Sequence, residues 1–196
     1  MTFDQVIWTD KMRAIFADDA PVIHLCGAMG TSKTLVAGLL FFDRVMNAPA
    51  NVNQFAIIGV SSVLVKRNFV DKADSLYNIH RGLCTPFSDG DKDAAGSHFC
   101  IYGKYGKKIV YIAGADNKTS FTNILSLDLG GILLDELSVL HQDVWREAYG
   151  RVQRLAYAGW LITTTNGGNP AQEFYGELVN HATVKFRDTV PKIELD

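Results

Sequence analysis

The segment that most restricts what this chain can fold into is Gly27-Ala28-Met29-Gly30-Thr31-Ser32-Lys33-Thr34. It lies between a short apolar run, Val22–Cys26, and a long apolar stretch beginning at Lys33. A glycine-bearing turn from strand to helix aims successive backbone N–H groups into one concavity. That concavity sits on the positive end of the helix and suits a phosphate. The segment fits G-x-x-x-x-G-K-[ST], except that Ser32 stands where the second glycine belongs. Lys33 brings a point charge toward the β- and γ-phosphates of a nucleotide, and the Thr34 hydroxyl is placed to ligate Mg²⁺. Ser32 fits if its φ is negative, as a helix N-terminus normally allows. The bland alternative is a strand-to-helix turn that binds nothing.

Around this turn the apolar pattern alternates between strand and helix. An amphipathic helix is predicted over Thr2–Ala17, with Phe3, Val6, Ile7, Met12, Ile15 and Phe16 inward. A strand at Val22–Cys26 leads through the turn to a helix over Lys33–Met46, apolar nearly all round and so buried on both sides. Gln54–Val60 reads as a strand, and Ser61 or Ser62 caps a helix running from Val63 to about Ile79. Pro86–Gly96 reads as an exposed polar loop. His98–Tyr102 and Ile109–Ala113 form a hairpin about the turn Gly103–Lys108. Ser120–Leu127 is ambiguous. Gly131–Leu134 is apolar on both faces, as in a parallel sheet. Val139–Ala158 is a helix, Trp160–Thr165 a strand, Ala171–Asn180 a helix and Thr183–Phe186 a last strand. Strands alternating with helices imply an α/β fold with a mainly parallel sheet.

At 196 residues the chain is one domain by length. Nineteen basic against 21 acidic residues give a net charge of −2, which excludes a strongly basic nucleic-acid coat but leaves local patches open. Cys26, Cys84 and Cys100 are an odd set with no CxxC pair, which suggests reduced thiols in a reducing compartment. The longest apolar run, around Leu35–Phe42, is too short to span a bilayer, and no secretory signal opens the chain.

Two further segments carry chemistry. Gly131-Ile132-Leu133-Leu134 ends in Asp135-Glu136. Parallel strands place their C-terminal ends along one edge, where ligands bind, so Asp135 is expected near the Mg²⁺ held by Thr34. Glu136 is the natural group to orient and deprotonate a water for attack on the γ-phosphorus. Either acid could instead merely cap the helix that follows. The run Thr163-Thr164-Thr165-Asn166-Gly167-Gly168-Asn169-Pro170 ends another strand. Hydroxyls and an amide at a strand tip could sense a γ-phosphate, or could form a plain turn.

GAMGTSKT (27–34), GGILLDEL (130–137) and TTTNGGNPAQEFYGEL (163–178), in that order, resemble the ATPase domain of the large terminase subunit of tailed bacteriophages, the DNA-packaging motor. The piece 113–131 also resembles the family's approach to its acidic strand, and the likeness spans roughly residues 8–187. It implies a P-loop NTPase of the additional-strand (ASCE/RecA-like) kind: a mainly parallel central sheet flanked by helices, with an antiparallel hairpin insertion. It also implies an ATP hydrolase that uses Mg²⁺ to drive double-stranded DNA into a procapsid. Gly27 through Thr34 would bind nucleotide, Thr34 and Asp135 the metal, and Glu136, Lys33 and Asn166 would be catalytic. Thr164, Thr165 and Asn166 would couple hydrolysis to movement. Portal and procapsid, a small terminase subunit and a homo-oligomeric ring would be the partners. The chain would be a monomer in isolation, without a membrane, in the host cytoplasm. The family's nuclease half has no counterpart within these 196 residues, so the expectation is a motor domain alone.

Three positions depart from the family pattern. Ser32 replaces glycine, Met29 stands where an arginine is common, and Met12 where an adenine-reading glutamine is common. Arg67, Arg146, Arg151 and Arg154 are the alternative arginines. Lys104, Lys107 and Lys108 with Tyr102 and Tyr105 are a candidate grip on DNA phosphates, with Lys118 nearby; Lys66, Arg67 and Lys72 are a second. Other readings of the same motifs are a helicase-like or remodelling ATPase, and a nucleotide-binding assembly module with little turnover.

Overall fold

Among the described residues, five parallel strands and one antiparallel edge strand make a single sheet. They are β1 (Val22–Cys26), β2 (Gln54–Gly59), β3 (His98–Gly103), β4 (Gly106–Gly114), β5 (Gly131–Leu134) and β6 (Trp160–Thr165), ordered β1-β6-β5-β2-β4-β3. Among the described strands only β3 runs antiparallel, against β4. The structure, a computed structural model, describes residues 5–28, 30–92, 94, 96–116, 122, 124, 126–154 and 159–167. The predicted helix Ala171–Asn180, the strand Thr183–Phe186 and half of Ser120–Leu127 lie outside those residues.

The strands are apolar on both sides because both sides are covered. Successive side chains leave a strand on opposite faces. Phe55 and Ile57 of β2 join one apolar cluster with Leu133 and Ile162, against helix α2 (Lys33–Asn47). Ala56 and Ile58 join the other with Ile132 and Leu161, against helix α5 (Gln142–Arg154). Phe41 of α2 has no exposure, and fully burying such a side chain stabilises by about 1.5–3 kcal/mol. Gly131 is required where it stands: a Cβ there would lie 2.3 Å from the Trp160 ring, which stacks on Phe55. No helix among the described residues is long and apolar enough to cross a membrane.

Several predicted boundaries shift. The N-terminal helix is only α1, Asp10–Ala17: Thr9 accepts a hydrogen bond from the Met12 N–H and starts it there. Ile7, expected inward, is 87% exposed. The long helix expected over 63–79 is three pieces: α3 (Ser62–Lys66), a π-helical turn (Arg67–Asp71) and α4 (Leu76–Ile79). Lys72 is extended and breaks the run. Ser75 caps α4, and the Asn78 amide takes up the Val70 and Lys72 carbonyls freed by the break. A 3₁₀ turn, Leu137–Val139, precedes α5, which starts three residues later than Val139.

The hairpin turn is also tighter than expected. Lys104 and Tyr105 alone bridge β3 and β4, so Lys107 and Lys108 belong to the strand. Alternation then turns Lys108 inward. Its Nζ is buried and donates to the carbonyls of Pro49 and Val52 at 2.6 and 2.7 Å. Lys108 is therefore withdrawn from the candidate DNA patch. Lys104 and Tyr105 lie at the sheet edge opposite the C-terminal ends of the parallel strands. There the Lys104 N–H donates to the Met46 carbonyl at the end of α2.

Candidate nucleotide site

The phosphate-type turn leaves β1 at Gly27, whose N–H donates to the Thr165 carbonyl on β6. Gly30 has a φ of +80°, which glycine adopts at no steric cost. Ser32 corrects the expectation of a negative φ: it lies in the left-handed region at φ 57°, ψ 19°. A Cβ there costs roughly 1–2 kcal/mol, so a serine at this glycine position is strained. Its carbonyl still opens α2 by accepting from the Val36 N–H. Lys33 is the first residue of α2, and its Nζ folds over the turn to donate to the Ala28 carbonyl at 2.6 Å. Thr31 Oγ1 donates to the same carbonyl at 2.8 Å. Thr34 is half-buried in the first helical turn. Met29 lies outside the described residues.

The acidic tip follows β5 directly. Asp135 is 4% exposed, and burying a carboxylate is costly unless it is hydrogen-bonded. Thr164 Oγ1 donates to its Oδ1 at 2.8 Å, and Asn68 Nδ2 donates to its Oδ2 at 3.3 Å. Glu136 turns the chain sharply, at φ 57°, ψ 50°. Its N–H donates to Thr164 Oγ1 at 2.9 Å, and its Oε1 accepts from Asn166 Nδ2 at 3.4 Å. Of the threonine run, Thr164 alone faces the acids. Thr163 points away and pairs with His24 at 2.6 Å. Burial pushes the His24 pKa down to about 4.

Sheet register brings these pieces to one edge. Cys26 stands opposite Thr165, and Thr163 opposite Leu134, so the turn bearing Lys33 and the tip bearing Asp135 share the C-terminal edge. Strand β6 lies between them as the additional strand. Thr165 touches the phosphate-type turn through its carbonyl, while Thr164 holds both acids. The set offers hard oxygen donors, the Asp135 carboxylate and the Thr34 hydroxyl. Among the described residues no group of three or more His, Cys, Asp or Glu could hold a metal by itself. A carboxylate and a hydroxyl are donors of the kind Mg²⁺ takes, and that ion is usually held by one or two carboxylates together with substrate phosphates.

Of the candidate arginines, Arg67 lines a cleft with Gly59, Asn68, Asp135 and Glu136. Arg146 is exposed beside Asp143, and Arg151 is half-buried on α5; the side chain of Arg154 lies outside the described residues. Met12 packs into an apolar cluster with Val6, Leu39 and Ile79, so no carboxamide stands at that position. Asn68 is the site residue that sequence reasoning missed. An asparagine inside an apparent helix carries no signal of its own.

No family model matches the sequence, and no curated protein matches it. Solved structures do. The large terminase of a thermophilic bacteriophage superposes with a TM-score of 0.70 at 17% identity, covering 89% of this chain and 43% of that one. The chain has the fold of a large terminase ATPase domain. A complex of the same phage terminase with ATP-γ-S gives a TM-score of 0.66 at 17% identity, with 89% and 42% covered. The large terminase ATPase domain of Thermus phage P74-26 gives 0.66 at 14% identity, covering 94% of this chain and 74% of that one. The P-loop NTPase fold expected from the sequence, with its mainly parallel sheet, is thus present. The chain spans less than half the length of the first two of those large terminase structures.

Proposed function

We propose that this chain hydrolyses ATP as the motor domain of a viral DNA-packaging terminase. The observation that carries the reading is the convergence, at one sheet edge, of the turn holding Lys33 and the tip holding Asp135 and Glu136. In this reading the backbone N–H groups of residues 27–32 and the α2 N-terminus bind the phosphates. The Lys33 ammonium exchanges the Ala28 carbonyl for phosphate oxygens, a stronger charged partner. Thr34 and Asp135 would hold Mg²⁺, whose charge offsets that developing on the γ-phosphate. Glu136 takes the proton of the attacking water, and the Asn166 amide beside its Oε1 orients that carboxylate. Thr164 joins both acids to β6, and Thr165 carries the same strand to the phosphate turn. Loss of the γ-phosphate would therefore be felt along one strand.

Double-stranded DNA, a portal and procapsid, a small terminase subunit and a ring of copies in the host cytoplasm complete the proposal. The test is Glu136→Gln. The variant should bind ATP with wild-type affinity yet lose turnover by about 10²–10⁴, the usual contribution of a positioned base. Unchanged phosphate release would reject Glu136 as base. Packaging itself is tested by ATP-dependent protection of duplex DNA inside procapsids from nuclease, with unprotected DNA as the result against it.

A further inference from the structure

We propose that Asn68 is a positioning residue for Asp135, an inference that rests on the nucleotide reading above. The buried Asp135 carboxylate accepts at Oδ1 from a hydroxyl whose direction is already fixed. Thr164 Oγ1 takes the Glu136 N–H, so its own proton goes to Asp135. That bond anchors one oxygen and leaves the carboxylate free to rotate about it. The Asn68 amide, 3.3 Å from Oδ2, is the second anchor and sets that rotation. A carboxylate oxygen has lone pairs beyond one hydrogen bond, so Oδ2 keeps the capacity to serve a cation.

The local backbone explains how Asn68 reaches the tip. It lies in the π-helical turn Arg67–Asp71, which widens the helix where it passes the C-terminal edge of β2. β2 pairs directly with β5, so the turn and the acidic tip are neighbours although 67 residues separate them in sequence. Such turns are frequent at functional sites. Asn68 also lines the cleft that contains Asp135 and Glu136, so its amide faces the site and not the core.

The test measures metal directly. Mn²⁺ affinity in the presence of ADP is read by electron paramagnetic resonance for wild type, Asn68→Ala and Asn68→Leu, alongside ADP affinity in EDTA. Loss of a partner to a metal ligand typically weakens metal binding 10–100-fold. The expected result is weakening of about tenfold or more in both variants, with EDTA affinity for ADP unchanged. Wild-type Mn²⁺ affinity in either folded variant overturns the role of Asn68 alone. Equal loss of metal-free ADP binding in both makes the residue structural and also overturns it. A wild-type chain that binds no ADP under either condition instead removes the nucleotide reading itself.

Discussion

Replacing Ser32 with glycine should stabilise this chain. Ser32 sits at φ 57°, ψ 19°, where a Cβ costs roughly 1–2 kcal/mol, and its side chain makes no capping hydrogen bond in return. Glycine removes that cost but adds freedom to the unfolded chain, worth about 0.4–1 kcal/mol. Midway through those two ranges the difference leaves Ser32→Gly more stable by about 0.8 kcal/mol. At about 2–4 °C per kcal/mol for a chain of this size, the melting temperature rises by about 1–4 °C. Ser32→Ala is the control: it keeps the Cβ and deletes only the hydroxyl, so it should match wild type within about 0.5 kcal/mol. Ser32→Val adds a branched Cβ and should fall below both. Thermal melts and urea titrations of the four proteins measure the series. Nucleotide affinity should change little across it, since the groups aimed at the phosphates are backbone N–H. A glycine variant no more stable than the alanine one would refute the reasoning and return Ser32 to a negative φ.

The same logic applies at Glu136, also left-handed at φ 57°. Glu136→Gly should melt about 1–4 °C higher while losing turnover, whereas Glu136→Gln should lose turnover at an unchanged melting temperature. Lys108→Met strands the Val52 carbonyl, while the Pro49 carbonyl keeps the Val52 N–H, and should cost about 1–3 kcal/mol in a urea titration. Lys107→Met, on the exposed side of β4, should shift stability by less than about 0.5 kcal/mol. His24 has its pKa pushed down to about 4 by burial, against about 6.5 unfolded, so below pH 6.5 the unfolded chain binds a proton that the folded chain refuses. Stability should fall by about 3 kcal/mol between pH 7 and 4 through this residue, and His24→Gln should flatten that slope.

The elements that the sequence specified well are those set by their own residues. Gly131–Leu134 and Trp160–Thr165 have the predicted ends because apolar runs stop there at acids or at Asn166-Gly167. The candidate site was legible for the same reason, since each motif closes a strand and parallel strands share an edge. The misplacements arise where a local signal competes with a longer pattern. Apolar spacing continues through 63–79, yet Ser75 caps a new helix inside it. The hairpin turn is shorter than the basic stretch suggested. A strand starting at Gly106 puts Lys108 on the buried side, and register moves every side chain to one face or the other. Asn68 was invisible for a different reason. Its contact with Asp135 exists because β2 neighbours β5, which no window of sequence around Asn68 contains.

Strain marks the same place from another direction. Among the described residues, the non-glycine positions with positive φ are Ser32 and Glu136. One ends the phosphate turn and the other follows the acidic tip, and β6 lies between the strands that lead to them. Such conformations persist only where the surroundings over-determine them. Here those surroundings can be named: the Ser32 carbonyl is committed to the Val36 N–H, and the Glu136 N–H to Thr164 Oγ1. Thr164→Val should therefore do two things that separate experiments can read. It removes the acceptor for the Glu136 N–H and the donor to Asp135, destabilising the fold by about 1–3 kcal/mol. It also frees the turn at Glu136, so the further gain from Glu136→Gly should be smaller in the Thr164→Val background than in wild type. Equal gains in the two backgrounds would mean that Thr164 does not hold the strained turn, and the coupling of β6 to the acids would lose its physical basis.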